Sequence, residues 1–369
     1  MSCPNVQTYD RPFIQEWLNS GNRACPQTQQ VLTNPTLTPN HLVRSMISRW
    51  CTEHGIALPS PNCNNPDEPP IPAAERNSVS SLLKNLSSSS IPVKKQAVKD
   101  LRLLTKRKTS VRAFVGQNPE AILKLLSVLS VPGLDGDREV QEDAVTTMLN
   151  LSIFDCNKEI LGDDPQAIPF LIEALKTGTM QTRGNAAAAL FSLSALDSNK
   201  IKIGELGATK PLIELLEHGS FEAKKDAANA IFNLCTNYQN RARAVRDGVA
   251  SALVLVIMDK LLVGEMLAIL SLVSGHKKAA EEIVEIDGVA CLLGIIRESS
   301  CARNKENAAV VLYSICVDHR MKLREIGEEE TLHGTISDLV NTGTSRARRK
   351  ATGILERLRK TMHNARCSC

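Results

Sequence analysis

The chain has 369 residues, of which 43% are hydrophobic, 23% are charged and only 3% are aromatic. That length exceeds the roughly 250–300 residues at which one hydrophobic core stops growing, so it indicates several domains or a repetitive architecture. The low aromatic content argues against a β-sandwich, a barrel or a large enzyme core, and it favours helices packed on helices. The formal net charge of +4 gives no electrostatic reason to expect a nucleic-acid partner.

The cysteines and the apolar runs exclude further classes. The eleven cysteines are spread along the chain without a Cys-x-x-Cys pair, which argues against a disulfide scaffold or a zinc domain and predicts free thiols. The first thirty residues hold no apolar signal core, and the longest apolar run, 249–258, is far below the roughly 18 residues that span a bilayer. We therefore expect no transmembrane segment, no metal and no cofactor, and a cytoplasmic or nuclear location or both.

The first predicted element is a short helix that begins after Asp10. Asp10 suits the N-cap position and a proline follows in the first turn, while Gly21 ends the helix. Its apolar stripe consists of Phe13, Ile14, Trp17 and Leu18. A loop starts at Cys25, and the sequence Thr38-Pro39-Asn40 predicts a second helix that runs through Trp50.

A proline-rich segment separates this small module from the rest of the chain. Six prolines lie between Leu58 and Glu75, interleaved with Asn, Asp and Glu. Repeated prolines disfavour helix and predict an extended, semi-rigid linker. We divide the chain into an N-terminal module (1–58), a linker (59–77), a helical module (78–360) and a tail (361–369).

The helical module repeats. An anchor residue, usually Ala, is followed by Leu, Ile or Met four residues on and by Leu or Ile seven residues on, so the three share one helical face. The copies begin at Ala97, Ala144, Ala186, Ala227, Ala308 and Ala351, with a degenerate copy at Glu265. Successive anchors lie 38 to 47 residues apart, which is typical of HEAT and armadillo solenoids.

A glycine marks a turn inside several of these periods. Gly207, Gly248 and Gly288 each precede an apolar helix, and a glycine there permits the left-handed turn between two helices. Each period thus predicts a short helix, a turn, a medium helix and a long anchored helix. Over roughly 78–360, with about six repeats, the chain resembles the armadillo family, which implies a mainly α fold and a right-handed α-solenoid.

The resemblance also implies a binding groove. In armadillo proteins the long helix lines the concave surface, and a polar residue six places after the anchor often points into it. The matching positions are Asn150, Ser192, Asn233, Ser271 and Ser314. Such a row could hold the backbone of an extended peptide, although an ordinary solvated polar face is the alternative. The tryptophans that nuclear import receptors carry four places before the groove asparagine are missing, so we do not expect binding of a nuclear localisation signal.

Four strings in the N-terminal module resemble the U-box, the zinc-free relative of the RING finger. They are Gln7-Thr8-Tyr9-Asp10-Arg11, Ile14-Gln15-Glu16-Trp17-Leu18, Cys25-Pro26-Gln27-Thr28-Gln29 and Leu37-Thr38-Pro39-Asn40-His41-Leu42-Val43-Arg44. A U-box, a linker and armadillo repeats together resemble a large plant family of ubiquitin ligases. The resemblance implies a small α+β U-box before the solenoid, without zinc.

The family implies an E3 ubiquitin ligase that docks a ubiquitin-charged E2 conjugating enzyme through the U-box and recruits a protein substrate through the repeats. Such a ligase forms no covalent intermediate and acts by proximity, so no catalytic residue is expected, and Cys25 is expected to be structural. Trp17, Pro26 and Gln27 fall at the family's E2-docking positions, although Trp17 could instead be a core residue. Many U-boxes dimerise, which leaves a homodimer open.

One departure from the family affects this expectation. A full U-box begins with an earlier docking loop, and here Cys3-Pro4 lies too close to Tyr9 to be that loop. The sequence therefore predicts a partial U-box that retains the second half, by truncation or by an incomplete gene model. The alternative function is a non-catalytic armadillo scaffold or adaptor with a vestigial U-box.

Overall fold

The computed structural model describes residues 8–32, 43, 46–47, 50–51, 54–56, 71–134, 136–319 and 321–367. The chain divides into two compact units, Met1–Pro59 and Ser60–Cys369, which we describe separately. Among the described residues, no helix is both long and apolar enough to cross a membrane. Most of the predicted linker, at 59–70, lies outside the described residues.

The N-terminal unit contains the predicted first helix. Helix α1 (Arg11–Asn19) starts after Asp10, whose backbone is extended, and is followed by Gly21 at φ 86°. Both predicted ends are therefore confirmed, although the Asp10 side chain makes no capping hydrogen bond. In the predicted second helix, Trp50 and Cys51 are helical, whereas its expected start at 38–40 lies outside the described residues.

In the described part of the second unit every named element is an α-helix, apart from one 3₁₀ turn at Val128–Ser130. Its helices are α2 (Ala73–Leu86), α3 (Ile91–Arg107), α4 (Thr109–Gly116), α5 (Pro119–Ser127), α6 (Arg138–Ser152), α7 (Asp155–Asp163), α8 (Ala167–Thr177), α9 (Met180–Leu193), α10 (Asp197–Glu205), α11 (Thr209–His218), α12 (Phe221–Cys235), α13 (Tyr238–Arg246), α14 (Val249–Met258), α15 (Val263–Val273), α16 (Lys277–Glu285), α17 (Gly288–Glu298), α18 (Ala302–Asp318), α19 (Lys322–His333), α20 (Thr335–Thr342) and α21 (Ser345–Cys367). Helix α2 begins inside the segment predicted as linker, and α21 extends into the predicted tail.

After the pair α2–α3, the helices follow in triplets of a short or medium first helix, a second helix and a long third helix. The long helices α3, α6, α9, α12, α15, α18 and α21 pack against one another in chain order. The six alanine anchors predicted from the sequence are all buried, with at most 1% of their surface exposed. A small side chain at that position lets the neighbouring helix approach closely. The predicted armadillo architecture is therefore confirmed.

The degenerate copy has a different register from the predicted one. In α15 Glu265 is exposed, whereas the buried side chains are Met266, Leu267, Ile269, Leu270 and Val273. The anchor of this repeat is therefore Met266, and the prediction of Glu265 is wrong by one residue. The sequence obscured this because Met replaces the usual Ala, and the apolar residues around it fit more than one helical face.

The predicted left-handed glycine turns are confirmed at two of the three positions. Gly207 and Gly248 have φ of +83° and +87°, the left-handed conformation that glycine adopts without a steric cost. In the next repeat the left-handed residue is Asp287, at φ 56°, and Gly288 already belongs to α17. The prediction of a glycine turn is therefore wrong at that position, since an aspartate also tolerates this conformation.

A row of buried asparagines joins consecutive repeats. Asn199 in α10 donates through Nδ2 to the carbonyl of Lys158 in the preceding repeat at 2.7 Å, and to the carbonyl of Leu193 at 3.1 Å. Its amide lies against Gly162, where an added Cβ would be 1.9 Å from Oδ1. The same arrangement recurs with Asn157 against Gly116 and Asn240 against Gly204. We call these three pairs the glycine–asparagine staples.

The cysteines in the described residues are mostly unpaired. Cys25, Cys51, Cys235 and Cys316 are buried free thiols, and burial raises the pKa of Cys235 and of Cys316 to about 12. Cys156 is disulfide-bonded, so the prediction of free thiols throughout does not hold there.

Candidate functional site

The loop predicted to dock a partner is a tight hairpin in the N-terminal unit. Its two sides are joined by an isolated antiparallel bridge between Ala24 and Val31. The backbone N–H of Cys25 donates to the carbonyl of Gln30 at 2.8 Å, and Gln29 closes the turn by donating back to Cys25 at 2.9 Å. Gln29 has a φ of 57°. These bonds fix the conformation of the short segment 26–28 between them.

Cys25 organises this loop through its sulfur atom. The Tyr9 hydroxyl lies 2.9 Å from Sγ, and the backbone N–H of Thr28 donates to Sγ at 3.3 Å. Hydrogen bonding from Thr28, followed by that from Tyr9, lowers the pKa of the Cys25 thiol to about 7. The bond to Cys25 is also the main reason that the pKa of Tyr9 is raised. Cys25 is only 5% exposed, which fits the expectation that it is structural.

The three predicted docking residues lie on this hairpin and on the helix beside it. Trp17 is half-buried, and its Nε1 donates to the carbonyl of Ala24 at 2.9 Å. Pro26 is half-buried and Gln27 is exposed at the tip of the loop. Trp17 therefore supports the loop through its indole N–H while part of its ring stays accessible. Both readings of Trp17 made from the sequence, docking and packing, are compatible with this position.

The predicted groove asparagines lie on the long helices, but their amides are engaged within the solenoid. Asn150 is 7% exposed, and its Nδ2 donates to the carbonyl of Arg102 at 3.3 Å and to Thr105 Oγ1 at 3.2 Å. Asn233 is half-buried and donates to Ser194 Oγ at 3.2 Å. Their Nδ2 atoms therefore join neighbouring long helices, which leaves Oδ1 as the atom that an incoming peptide N–H would use.

The predicted groove serines are half-buried and also hydrogen-bonded. Ser192 Oγ donates to the carbonyl of Ser152 in the preceding long helix at 2.7 Å. Ser271 and Ser314 donate to carbonyls of their own helices. Because the anchor of the degenerate repeat is Met266, the equivalent of Asn233 in that repeat is Leu272, and Ser271 lies one position before it. The polar row is thus interrupted at α15.

Sequence reasoning missed the larger side chains on this surface. Phe191 and Phe232, each five positions after its anchor, keep 37% of their surface exposed. At the same position of the next to last long helix, Tyr313 lies beneath the side chains of Lys350 and Arg357 from the last one. The constant spacing from the anchor was a signal that could have identified all three aromatic residues.

Comparison with known proteins gives family matches in both units. The U-box domain model matches residues 1–56, and the armadillo/beta-catenin-like repeat model matches residues 197–236. "U-box domain-containing protein 9" of Arabidopsis thaliana is 54% identical over 97% of this chain and 78% of its own length. "Putative U-box domain-containing protein 46" of the same plant is 38% identical over 96% of this chain and 77% of its own length.

Solved structures agree on the fold of the repeats. An engineered protein matches with a TM-score of 0.62 at 22% identity, covering 78% of this chain and 69% of that one. A designed armadillo repeat protein, solved in complex with the peptide (KR)4, matches with a TM-score of 0.53 at 19% identity, covering 64% of this chain and 99% of that one.

Proposed function

Because the chain belongs to the plant U-box and armadillo-repeat family of E3 ubiquitin ligases, we propose that it docks a ubiquitin-charged E2 enzyme through its N-terminal unit and recruits a protein substrate through its repeats. Ubiquitin then passes from the E2 cysteine to a substrate lysine. The ligase acts by holding the two reactants together in a suitable orientation, which raises their effective concentration.

The observation that carries this proposal is the hairpin within the matched U-box segment. Half-buried Pro26 and exposed Gln27 lie in a loop whose conformation is fixed by backbone hydrogen bonds and by the contacts of Cys25 and Trp17. A loop fixed in this way loses little conformational entropy when a partner binds, which favours a specific contact. We assign Pro26 and Gln27 to direct contact with the E2 enzyme, and we assign Trp17 to both contact and support of the loop.

Substrate recruitment is assigned to the stacked long helices. Their surface combines exposed Phe191 and Phe232 with half-buried Ser192 and Asn233 on the same two helices. Aromatic side chains supply apolar contact area, and amide or hydroxyl oxygens can accept hydrogen bonds from an extended backbone. We infer that an extended segment of the substrate lies along this surface.

The test is ubiquitin transfer with purified E1, a panel of E2 enzymes and the full chain. We expect self-ubiquitination with at least one E2, and we expect Pro26→Ala or Gln27→Ala to reduce it strongly. Val31→Ala is the matched control, because Val31 is 78% exposed on the same hairpin but outside its tip. An equal loss in the control would refute the docking assignment, and no transfer with any E2 would favour the scaffold alternative.

A further inference from the structure

Two positive side chains converge on one aromatic ring at the C-terminal end of the stacked long helices. Lys350 Nζ lies 4.0 Å from the centroid of the Tyr313 ring, and Arg357 Cζ lies 4.5 Å from the same centroid. The ring attracts each cation through its quadrupole. Both cations lie near the same ring, so an anion that reaches them would be attracted by two positive charges.

Neither cation has a carboxylate partner in the part of the chain that the structure describes. Arg357 donates only to the carbonyl of Gly353 in its own helix, at 3.1 Å. Arg349, on the adjacent position of α21, is exposed and takes part in no ion pair that involves a described residue. The site therefore retains hydrogen-bond donors and uncompensated positive charge.

The opposite end of the repeats shows that this lack of pairing is not general. There, three cations of α3 each meet a carboxylate from α6 or from the residue that precedes it. The pairs are Lys95 with Asp137, Lys99 with Glu139, and Arg102 with Asp143. These three cations are thus paired within the protein, whereas no described carboxylate pairs with Lys350 or Arg357 on the last long helix.

The geometry of the ring also depends on a glycine. An added Cβ at Gly353 would lie 2.6 Å from Cε2 of Tyr313, closer than real side-chain contacts allow. Gly353 lies between Lys350 and Arg357 on one face of α21, at spacings of three and four residues. It therefore lets the ring reach the helix between the two cations.

We propose that Tyr313, Lys350 and Arg357 form a site for an anionic side chain of an extended peptide, either a carboxylate or a phosphorylated serine. This inference rests on the proposed recruitment of substrate by the repeats, and it defines the substrate class as one with an acidic or phosphorylated segment. The guanidinium of Arg357 supplies a planar pair of donors and Lys350 supplies a point charge.

A peptide fits this site better than a nucleic acid does. The exposed bases of a single strand bind by stacking on free aromatic faces, but Lys350 and Arg357 already lie over the Tyr313 ring. The net charge of the whole chain is only +4, whereas nucleic-acid binding relies on extended phosphate contacts. Ser314, adjacent to Tyr313, is half-buried on the same helix and belongs to the row predicted to hold a peptide backbone.

Fluorescence anisotropy with the full chain tests the proposal without any E2 enzyme. The probe is a labelled peptide of alternating serine and glutamate, about twelve residues long and so spanning roughly 40 Å when extended. A second peptide has glutamine in place of glutamate, a third alternates glycine and phosphoserine, and the fourth probe is a thymidine oligonucleotide. We expect the acidic and phosphorylated peptides to bind at least tenfold more tightly than the glutamine peptide, since each charge-assisted hydrogen bond contributes roughly a factor of ten.

The variant Lys350→Gln with Arg357→Gln should remove that preference. The matched control is Arg348→Gln with Arg359→Gln, which removes the same charge from exposed positions elsewhere on α21. Equal affinity for the glutamate and glutamine peptides, an equal loss in both double variants, or tighter binding of the oligonucleotide would each overturn the proposal. In the proposed function, self-ubiquitination depends on the N-terminal unit, whereas peptide binding is measured without an E2 enzyme. Failure of self-ubiquitination would therefore refute the ligase function without changing the interpretation of the peptide-binding result.

Discussion

The substitution Gly162→Ala tests the glycine–asparagine staples. The new methyl group would lie 1.9 Å from Oδ1 of Asn199, so the buried amide must move. Asn199 then loses its hydrogen bonds to the carbonyls of Lys158 and Leu193, which measure 2.7 Å and 3.1 Å. An unsatisfied buried polar group costs about 1–3 kcal/mol, whereas alanine gains about 0.5–1 kcal/mol over glycine inside a helix.

The free energy of unfolding should therefore fall by about 0–2.5 kcal/mol, the balance of these two contributions, and by about 1–3 kcal/mol relative to an alanine that meets no such clash. The assay is urea unfolding of the full chain followed by circular dichroism. Gly294→Ala is the matched control, because Gly294 also lies inside a helix but has no atom within 4 Å of the added Cβ. We expect this control to be neutral or stabilising.

A double-mutant cycle of unfolding free energies at Gly162 and Asn199 separates the steric clash between these two residues from a general destabilisation of the repeats. Asn199→Ala alone leaves two carbonyls without their donor, and it also removes the atoms that the new methyl group at Gly162 would strike. The combined variant should therefore cost clearly less than the sum of the two single changes. Strict additivity, or an equal effect of Gly162→Ala and Gly294→Ala, would refute the reasoning.

Three other predictions concern the two proposed binding surfaces. The NMR shift of the Cys25 Cβ should titrate around pH 7, because the pKa of this thiol is lowered to about 7. Cys235, with a pKa raised to about 12, should show no titration up to pH 9, and identical profiles would contradict the assignment. Trp17→Phe should weaken E2 binding in calorimetry by about 1 kcal/mol, since the indole N–H that supports the loop is lost; unchanged affinity would argue against that support. Asn150→Ala with Asn233→Ala should weaken substrate capture in a pull-down. Because both amides join neighbouring long helices, this double variant should also have a lower melting temperature, and an unchanged melting temperature would contradict the observed hydrogen bonds.

The sequence determined the repeat architecture because its signal is periodic. Small anchors such as Ala186 and Ala227 recur with apolar residues on the same helical face, and every such face must be buried against the next repeat. The α1 boundaries followed from local chemistry at Asp10 and Gly21. These features depend on residues close to one another in the chain, so no knowledge of distant contacts was required to predict them.

Tertiary structure decided the features that depend on contacts about 40 residues apart. The register at Met266 follows from packing against the neighbouring long helices, because several faces of this apolar helix were equally suitable in sequence. In the sequence Asn199 is one polar residue among many, and only the folded structure places it against Gly162. The same is true of Lys350 and Arg357, since a cluster of basic residues resembles a solvated helix face until packing places Tyr313 beneath it.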